Sequence, residues 1–173
     1  MVAREQLQVE LGVEINDCGI FIDENIPYLA ATPDGIVGDD TIVEIKCPYA
    51  ARQVSPTDAM LNKISDIHRI FDKTDDTRMN QRHEYFFQIQ GQLHITQRKY
   101  CIFAVWTSFG LKYTFVERDD KFWELKMLSQ LKRFYEDCLV PEIIDSRAAR
   151  NMPIREPQYV IQAQKATQKK KDH

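Results

Sequence analysis

Thr32-Pro33-Asp34-Gly35-Ile36-Val37-Gly38-Asp39-Asp40-Thr41-Ile42-Val43-Glu44-Ile45-Lys46 is the stretch from which the fold can be read. Pro33-Asp34-Gly35 is a turn signal, Ile36-Val37 a short apolar run, and Gly38-Asp39-Asp40 a second tight turn. Thr41 to Lys46 then reads as a strand, ended by Pro48, which cannot donate to a sheet ladder. Side chains alternate faces along a strand, so Glu44 and Lys46 point the same way. Asp34 feeds the strand through the short hairpin and returns to the same end of the sheet. Two carboxylates and one ammonium are therefore expected to converge.

That grouping has a chemical use. Mg²⁺ is hard and oxygen-seeking, and one or two carboxylates, waters and a substrate phosphate commonly hold it. Asp34 and Glu44 would supply the carboxylates, and the backbone carbonyl of Ile45 a further oxygen. Lys46 would orient a water and steady charge on an attacked phosphate, the combination phosphodiester hydrolysis needs. Taken singly, each piece is commonplace: Pro-Asp-Gly turns abound, and a Glu and a Lys two apart often form an exposed ion pair. Their conjunction differs, because Glu44 and Lys46 interrupt an otherwise apolar strand, where charge is expensive unless paired or metal-bound.

Upstream, Val2, Gln6 and Val9 with Leu7 and Leu11 have helical spacing, and Gly12 suits a cap. A helix whose first turn falls at residue 1 suggests an absent upstream portion. Val13 to Ile22 is strand-like, broken at Cys18-Gly19, and Tyr28 to Thr32 is a short apolar run. Downstream, residues 55–80 are polar; Ser55-Pro56-Thr57 could start a helix, and Lys73 to Asn80 is a charged loop. Gln81 to Thr96 is helical again, burying Phe86, Ile89 and Leu93. Lys99–Thr107 and Leu111–Val116 are β-rich and joined by the hairpin signal Ser108-Phe109-Gly110. Asp119 caps a long amphipathic helix to about Cys138, with Phe122, Trp123, Met127, Leu131 and Phe134 inward. After Arg150 the chain turns polar and basic. The expected organisation is one domain over 1–150 and a mobile tail over 151–173 in which Lys169-Lys170-Lys171 is a solvated charge run.

The bulk properties exclude more than they select. A chain of 173 residues can bury a real core. No apolar run is long enough to span a bilayer and the first residues are not a signal peptide, so the expectation is an intracellular protein with no membrane. Four scattered cysteines and four histidines give no zinc-ligand spacing, and the thiols are read as free. A net charge of −3 neither marks nor excludes a nucleic-acid partner, since a metal site concentrates carboxylates while cations gather elsewhere.

Leu29-Ala30-Ala31-Thr32-Pro33-Asp34-Gly35, with nine residues between Asp34 and the following Glu44-Ile45-Lys46-Cys47-Pro48, resembles the PD-(D/E)XK nuclease motif. More narrowly, the chain is similar to the YqaJ-type viral recombinase domain, the family of the phage lambda exonuclease. Tyr85-Phe86-Phe87-Gln88-Ile89-Gln90 resembles that family's Tyr-x-x-Gln-x-Gln helix, and Cys101–Trp106 the strand after it. The resemblance implies an α/β fold with a central mixed β-sheet flanked by helices. It also implies Mg²⁺ dependence, with Mn²⁺ able to substitute, and exonucleolytic digestion of duplex DNA from a free end for strand-annealing recombination. The implied partners are DNA, a single-strand annealing protein and, as in ring-forming relatives, further copies of the chain. By motif position Asp34 and Glu44 are metal ligands, Lys46 positions water, and Gln90 belongs to the active-site helix. Helical pitch, roughly 100° per residue, sets Gln90 within about 60° of the centre of the Phe86/Ile89/Leu93 stripe and turns Gln88 well away. Tyr85, on the other edge, reads as a packing residue. In one respect the chain departs from the pattern: the family's further acidic residue on the first helix would fall before Met1, and Glu5 faces another direction.

The competing expectation is a DNA-binding module of the same fold with weak or no catalysis, motivated by that missing acid and the mild acidity.

Overall fold

The computed structural model describes residues 2–171, which form two compact units dividing between Trp123 and Glu124. The side chains of Lys169-Lys170-Lys171, expected as a solvated run, lie outside the described residues, as do residues 172 and 173.

The first unit is built on a four-stranded mixed sheet. Strands β3 (Gly35–Val37), β4 (Thr41–Lys46), β5 (Tyr100–Thr107) and β6 (Gly110–Glu117) lie side by side in that order. β4 is antiparallel to β3 and parallel to β5, and β6 returns antiparallel to β5. A separate two-stranded ladder joins β1 (Phe21–Ile22) to β2 (Ala30–Ala31). Among the described residues of the strand-like run from Val13, only Asn16, bridged to Ile36, and the short β1 form β-ladder pairs. Gly35 allows this crowding: a Cβ there would sit 2.5 Å from the Ile15 side chain.

Both faces of β4 are covered, which is why its apolar residues run nearly without a break. Helix α1 (Val2–Leu11) lies on one face, where Leu7, Ile15, Val43, Ile102 and Ala104 pack together. Gly12, at φ +64°, ends the helix as a left-handed cap, with the Val13 N–H donating to Gln8 O at 3.2 Å. The expected α1 stripe is corrected, because Val2 and Val9 are exposed and only Leu7 is wholly buried. α1 presents a narrow seam, and Trp106 Nε1 donates to Gln6 Oε1 at 2.7 Å to hold it.

The opposite face carries α2 (Pro56–Leu61), α3 (Ile67–Ile70) and α4 (Glu84–Ile95), all inserted between β4 and β5. Ser55 caps α2 by accepting the Asp58 N–H at 3.1 Å, with Pro56 in the first turn. α4 buries Phe86, Ile89 and Leu93 against Ile42, Phe103 and Val105. Each such side chain contributes on the order of 1.5–3 kcal/mol through burial. Its expected start at Gln81 moves to Glu84, since His83 is the cap and accepts the Tyr85 N–H at 3.2 Å.

Asp119 caps the next helix as expected, accepting from Phe122 N at 2.9 Å. Phe122 stacks edge-on against Phe86 and Phe87, and Trp123 lies flat on His94 at 4.1 Å. In the second unit the helix alternates α and π turns through Ile144. Met127 is buried, but Phe134, expected inward, is 51% exposed. A further helix, Gln158–Lys171, forms within the stretch whose composition offered few apolar anchors. Tyr159 anchors it, with the Arg133 guanidinium 3.5 Å from its ring centre. All four cysteines are free thiols. Among the described residues no helix is long and apolar enough to cross a membrane.

Candidate active site

The two-residue alternation that buries Ile42 beneath α4 also sends Glu44 and Lys46 to that face, at the end of β4 where the helix still covers the sheet. Glu44 is 4% exposed, so its charge must be met by donors. Three side chains supply them. Lys46 Nζ donates to Oε1 at 2.6 Å, Gln88 Nε2 donates to the same oxygen at 2.7 Å, and Gln92 Nε2 donates to Oε2 at 2.8 Å. Lys46 Nζ also donates to Gln88 Oε1 at 3.0 Å, closing a ring of three polar groups that fixes the amide's orientation. The ammonium sits 4.7 Å from the centre of the Tyr85 ring. Tyr85, Gln88 and Gln92 are three and four apart, so they line one edge of α4.

Asp34 reaches the same end of β4 from the β3 side. Gly35 pairs with Val43, Asp34 N donates to Val43 O at 2.9 Å, and Ile45 N donates to Asp34 Oδ2 at 2.7 Å. Backbone groups two apart on a strand point to the same side, so the Ile45 carbonyl shares the edge that Asp34 occupies. Desolvation raises the Asp34 pKa above the ordinary carboxylate value. The Ile45 N–H opposes this, and the negative charge of Glu44 adds to it.

Of the sequence-predicted residues, the structure brings together Asp34, Glu44, Lys46 and the Ile45 backbone. Gln90 does not join them. It is fully buried on the other edge of α4, where Nε2 donates to Glu117 O at 2.8 Å and Oε1 accepts from Asp119 N at 2.7 Å. Gln90 thus ties α4 to the end of β6, and Gln88 and Gln92 take the place expected of it. Pitch ranks residues by angle from the buried stripe, but a stripe has two edges and pitch does not say which one overlooks the carboxylate. The available signal was the i, i+4 spacing of Gln88 and Gln92, which lets two amides reach one buried carboxylate. Glu5 is exposed.

The donor set suits a hard divalent cation. Two carboxylates that repel one another and a carbonyl on the same edge are oxygen ligands, and Mg²⁺ completes its shell with water and phosphate. A carboxylate oxygen has about two acceptor sites, so Oε2 of Glu44 keeps one beyond the Gln92 bond. Asp34 Oδ1 accepts no protein hydrogen bond among the described residues. Among those residues no group of three or more His, Cys, Asp or Glu gathers, so the pair stands without a third acidic ligand.

Comparison with known proteins bears on this arrangement. No curated protein matches the chain. Among solved structures, it is similar to an alkaline exonuclease, LHK-Exo, from Laribacter hongkongensis: TM-score 0.63 at 24% identity, covering 86% of this chain and 70% of that one. The LHK-Exo complex with dAMP matches at TM-score 0.58 and 25% identity, over 86% of this chain and 69% of that one. A phage-related exonuclease from Haemophilus somnus 129PT shares the fold at TM-score 0.50 and 13% identity, covering 82% and 69%. The core is therefore the PD-(D/E)XK fold, a mixed sheet with helices on both faces. The family model of the YqaJ-like viral recombinase domain matches residues 1–99, the span that carries Asp34, Glu44, Lys46 and their helix α4; the chain belongs to that family.

Proposed function

We propose that this chain is a nuclease that hydrolyses phosphodiester bonds of DNA, acting as an exonuclease on duplex ends with Mg²⁺ held by Asp34, Glu44 and the Ile45 carbonyl. The observation that carries the reading is the buried Glu44 held by Lys46, Gln88 and Gln92 beside Asp34. Family membership and the exonuclease structures that resemble the chain support it. A bound divalent cation would supply Lewis acidity to the scissile phosphate and lower the pKa of the attacking water.

The chain's own residues supply the rest. Gln88 and Gln92 hold Glu44 in one orientation, so its oxygens do not reorganise when substrate arrives. Lys46, held by Glu44, Gln88 and the Tyr85 ring, keeps a positive charge fixed at the position where charge grows on the attacked phosphate. Asp34 is oriented by the Ile45 N–H. The annealing partner and self-assembly expected from the resemblance belong to this proposal, as does an intracellular site of action.

The test is digestion of end-labelled linear duplex and of closed circular duplex in Mg²⁺, Mn²⁺ or EDTA. Metal-dependent loss of the linear substrate with the circle intact is the expected result; digestion in EDTA would overturn it. A second reading, a DNA-binding module without hydrolysis, is favoured by the lack of a third acidic ligand among the described residues. Salt-sensitive binding with no cleavage in either metal would select it.

The two edges of α4 are separable in the same assay. Gln90→Ala leaves the Asp119 N–H and Glu117 carbonyl unpaired and is expected to cost about 1–3 kcal/mol in a urea titration, with cleavage per folded molecule within a few-fold of wild type. Gln88→Ala removes one donor from the buried Glu44 carboxylate; it is expected to cost about 1.5–3 kcal/mol in the same titration and, unlike Gln90→Ala, to slow cleavage per folded molecule about tenfold by loosening Glu44 and Lys46. The reverse pattern would put the site on the Gln90 edge.

A further inference from the structure

Beside the α4 N-terminus runs a groove of about 1030 Å³, built from the α3 region and the loop that follows it. We infer that this groove, lined by Lys63, Arg69, Lys73, Arg78 and Arg82, grips the phosphodiester backbone of the nucleic-acid substrate and leads it to Lys46. The inference rests on the nuclease reading above and names the surface that reading needs.

Charge is the first support. The chain as a whole is at −3, yet this groove carries five cations against two carboxylates, Asp72 and Asp75. Among the described residues Lys63, Lys73 and Arg82 form no ion pair within 4.0 Å, Arg78 is attracted to Asp72 and Asp75 only at longer range, and Arg69 has an exposed contact with Asp66 at 3.4 Å. Cations gathered on one surface and left unneutralised are the electrostatic footprint of a polyanion site.

The state of the two acids is the second. Asp72 accepts from Thr74 N and Oγ1 at 2.8 and 2.6 Å, and Asp75 accepts from Thr77 N at 3.0 Å and also from its hydroxyl. These bonds hold both carboxyls below the ordinary range and commit them to the turns of their own loop. The loop is closed at its ends by Asp72 N donating to Arg78 O at 2.8 Å and by the Phe71–Met79 bridge. The acids thus shape the loop, and the cations project from a backbone of fixed geometry.

Continuity with the site is the third. His83 lines the groove and caps α4; its ring lies 4.7 Å from that of Tyr85, whose centre is 4.7 Å from Lys46 Nζ. Taken end to end those two contacts span at most about three base steps at roughly 3.4 Å each. A strand lying in the groove would therefore arrive at the catalytic lysine within a few nucleotides.

The experiment is fluorescence anisotropy of labelled duplex and single-stranded DNA in EDTA, across a salt series, with the whole chain. Wild type is compared with the quadruple variant Arg69→Gln, Lys73→Gln, Arg78→Gln, Arg82→Gln, and with a variant carrying Lys at the three arginine positions. Each phosphate contact contributes about −0.9 to the slope of log K against log salt. The quadruple variant should therefore lose about 3 to 4 from that slope, and the lysine variant should keep it. The probe showing the larger loss, duplex or single strand, is the form the groove holds. An unchanged slope in the quadruple variant, with the fold intact by circular dichroism, overturns the inference. A wild type that binds with a steep slope but never cleaves in metal would defeat the nuclease reading alone. The arms therefore separate the two failures.

Discussion

Lys46→Ala is expected to lower single-turnover cleavage at saturating duplex by about 10²- to 10³-fold, the range seen when one preorganised donor is removed from a transition-state charge. The reason is the fixity of the ammonium. In wild type it is held by Glu44 and Gln88 and lies against the Tyr85 ring, so little reorganisation accompanies the growth of charge on the phosphate. A flexible surface lysine would have to be ordered first. Binding should change far less than cleavage, because one charge among several groove cations is removed. Lys46→Arg should not rescue the variant fully, since a planar guanidinium cannot reproduce a point charge received by one carboxylate and one amide. A Lys46→Ala enzyme cleaving within about threefold of wild type would remove the lysine from the chemistry.

Glu44→Ala carries the other large effect, and it strikes stability and activity together. The substitution leaves the Lys46 ammonium and the amides of Gln88 and Gln92 without their common acceptor. Removing one partner of a buried ion pair typically costs about 3–5 kcal/mol, so denaturation should shift by that order and cleavage should vanish. Glu44→Gln separates the two consequences. It keeps the volume and one acceptor oxygen, so part of the lost stability should return, but an amide nitrogen now faces a donor and no carboxylate is left to serve a cation. Cleavage should stay absent. Loss of the Glu44 charge also removes one of the influences that raise the Asp34 pKa. Unfolding curves of the two variants, read beside their single-turnover rates, check the argument; Glu44→Gln cleaving at the wild-type rate would sink it.

These expectations indicate which parts of the molecule a reader of the sequence could reach. The hairpin from Asp34 to Lys46 was legible because turn chemistry and two-residue alternation are local rules, and two charged residues on one face of an otherwise apolar strand stand out against them. The packing stripe of α4 was legible for the same reason. Which glutamine serves Glu44 was not, because that depends on how the helix lies across the sheet. Val9 shows a similar limit. Its spacing fits a buried stripe, but α1 touches the sheet along a seam too narrow to cover it. The helix from Gln158 escaped a reading based on composition because one of its contacts, Tyr159 against the Arg133 guanidinium, is not an apolar stripe that a hydrophobic pattern would reveal.

Because β4 and β5 run parallel, the chain must leave one end of the sheet and travel back before it can pair again, and residues 47–99 make that journey. Glu44 and Lys46 lie before the excursion, whereas Gln88 and Gln92 come at its close. During synthesis, therefore, the carboxylate emerges from the ribosome dozens of residues ahead of the amides that orient it. At about 5–20 residues per second it waits some seconds without them. A nascent chain that has not reached Gln88 and Gln92 carries the acidic residues but not the arrangement, which forms only as the crossover completes.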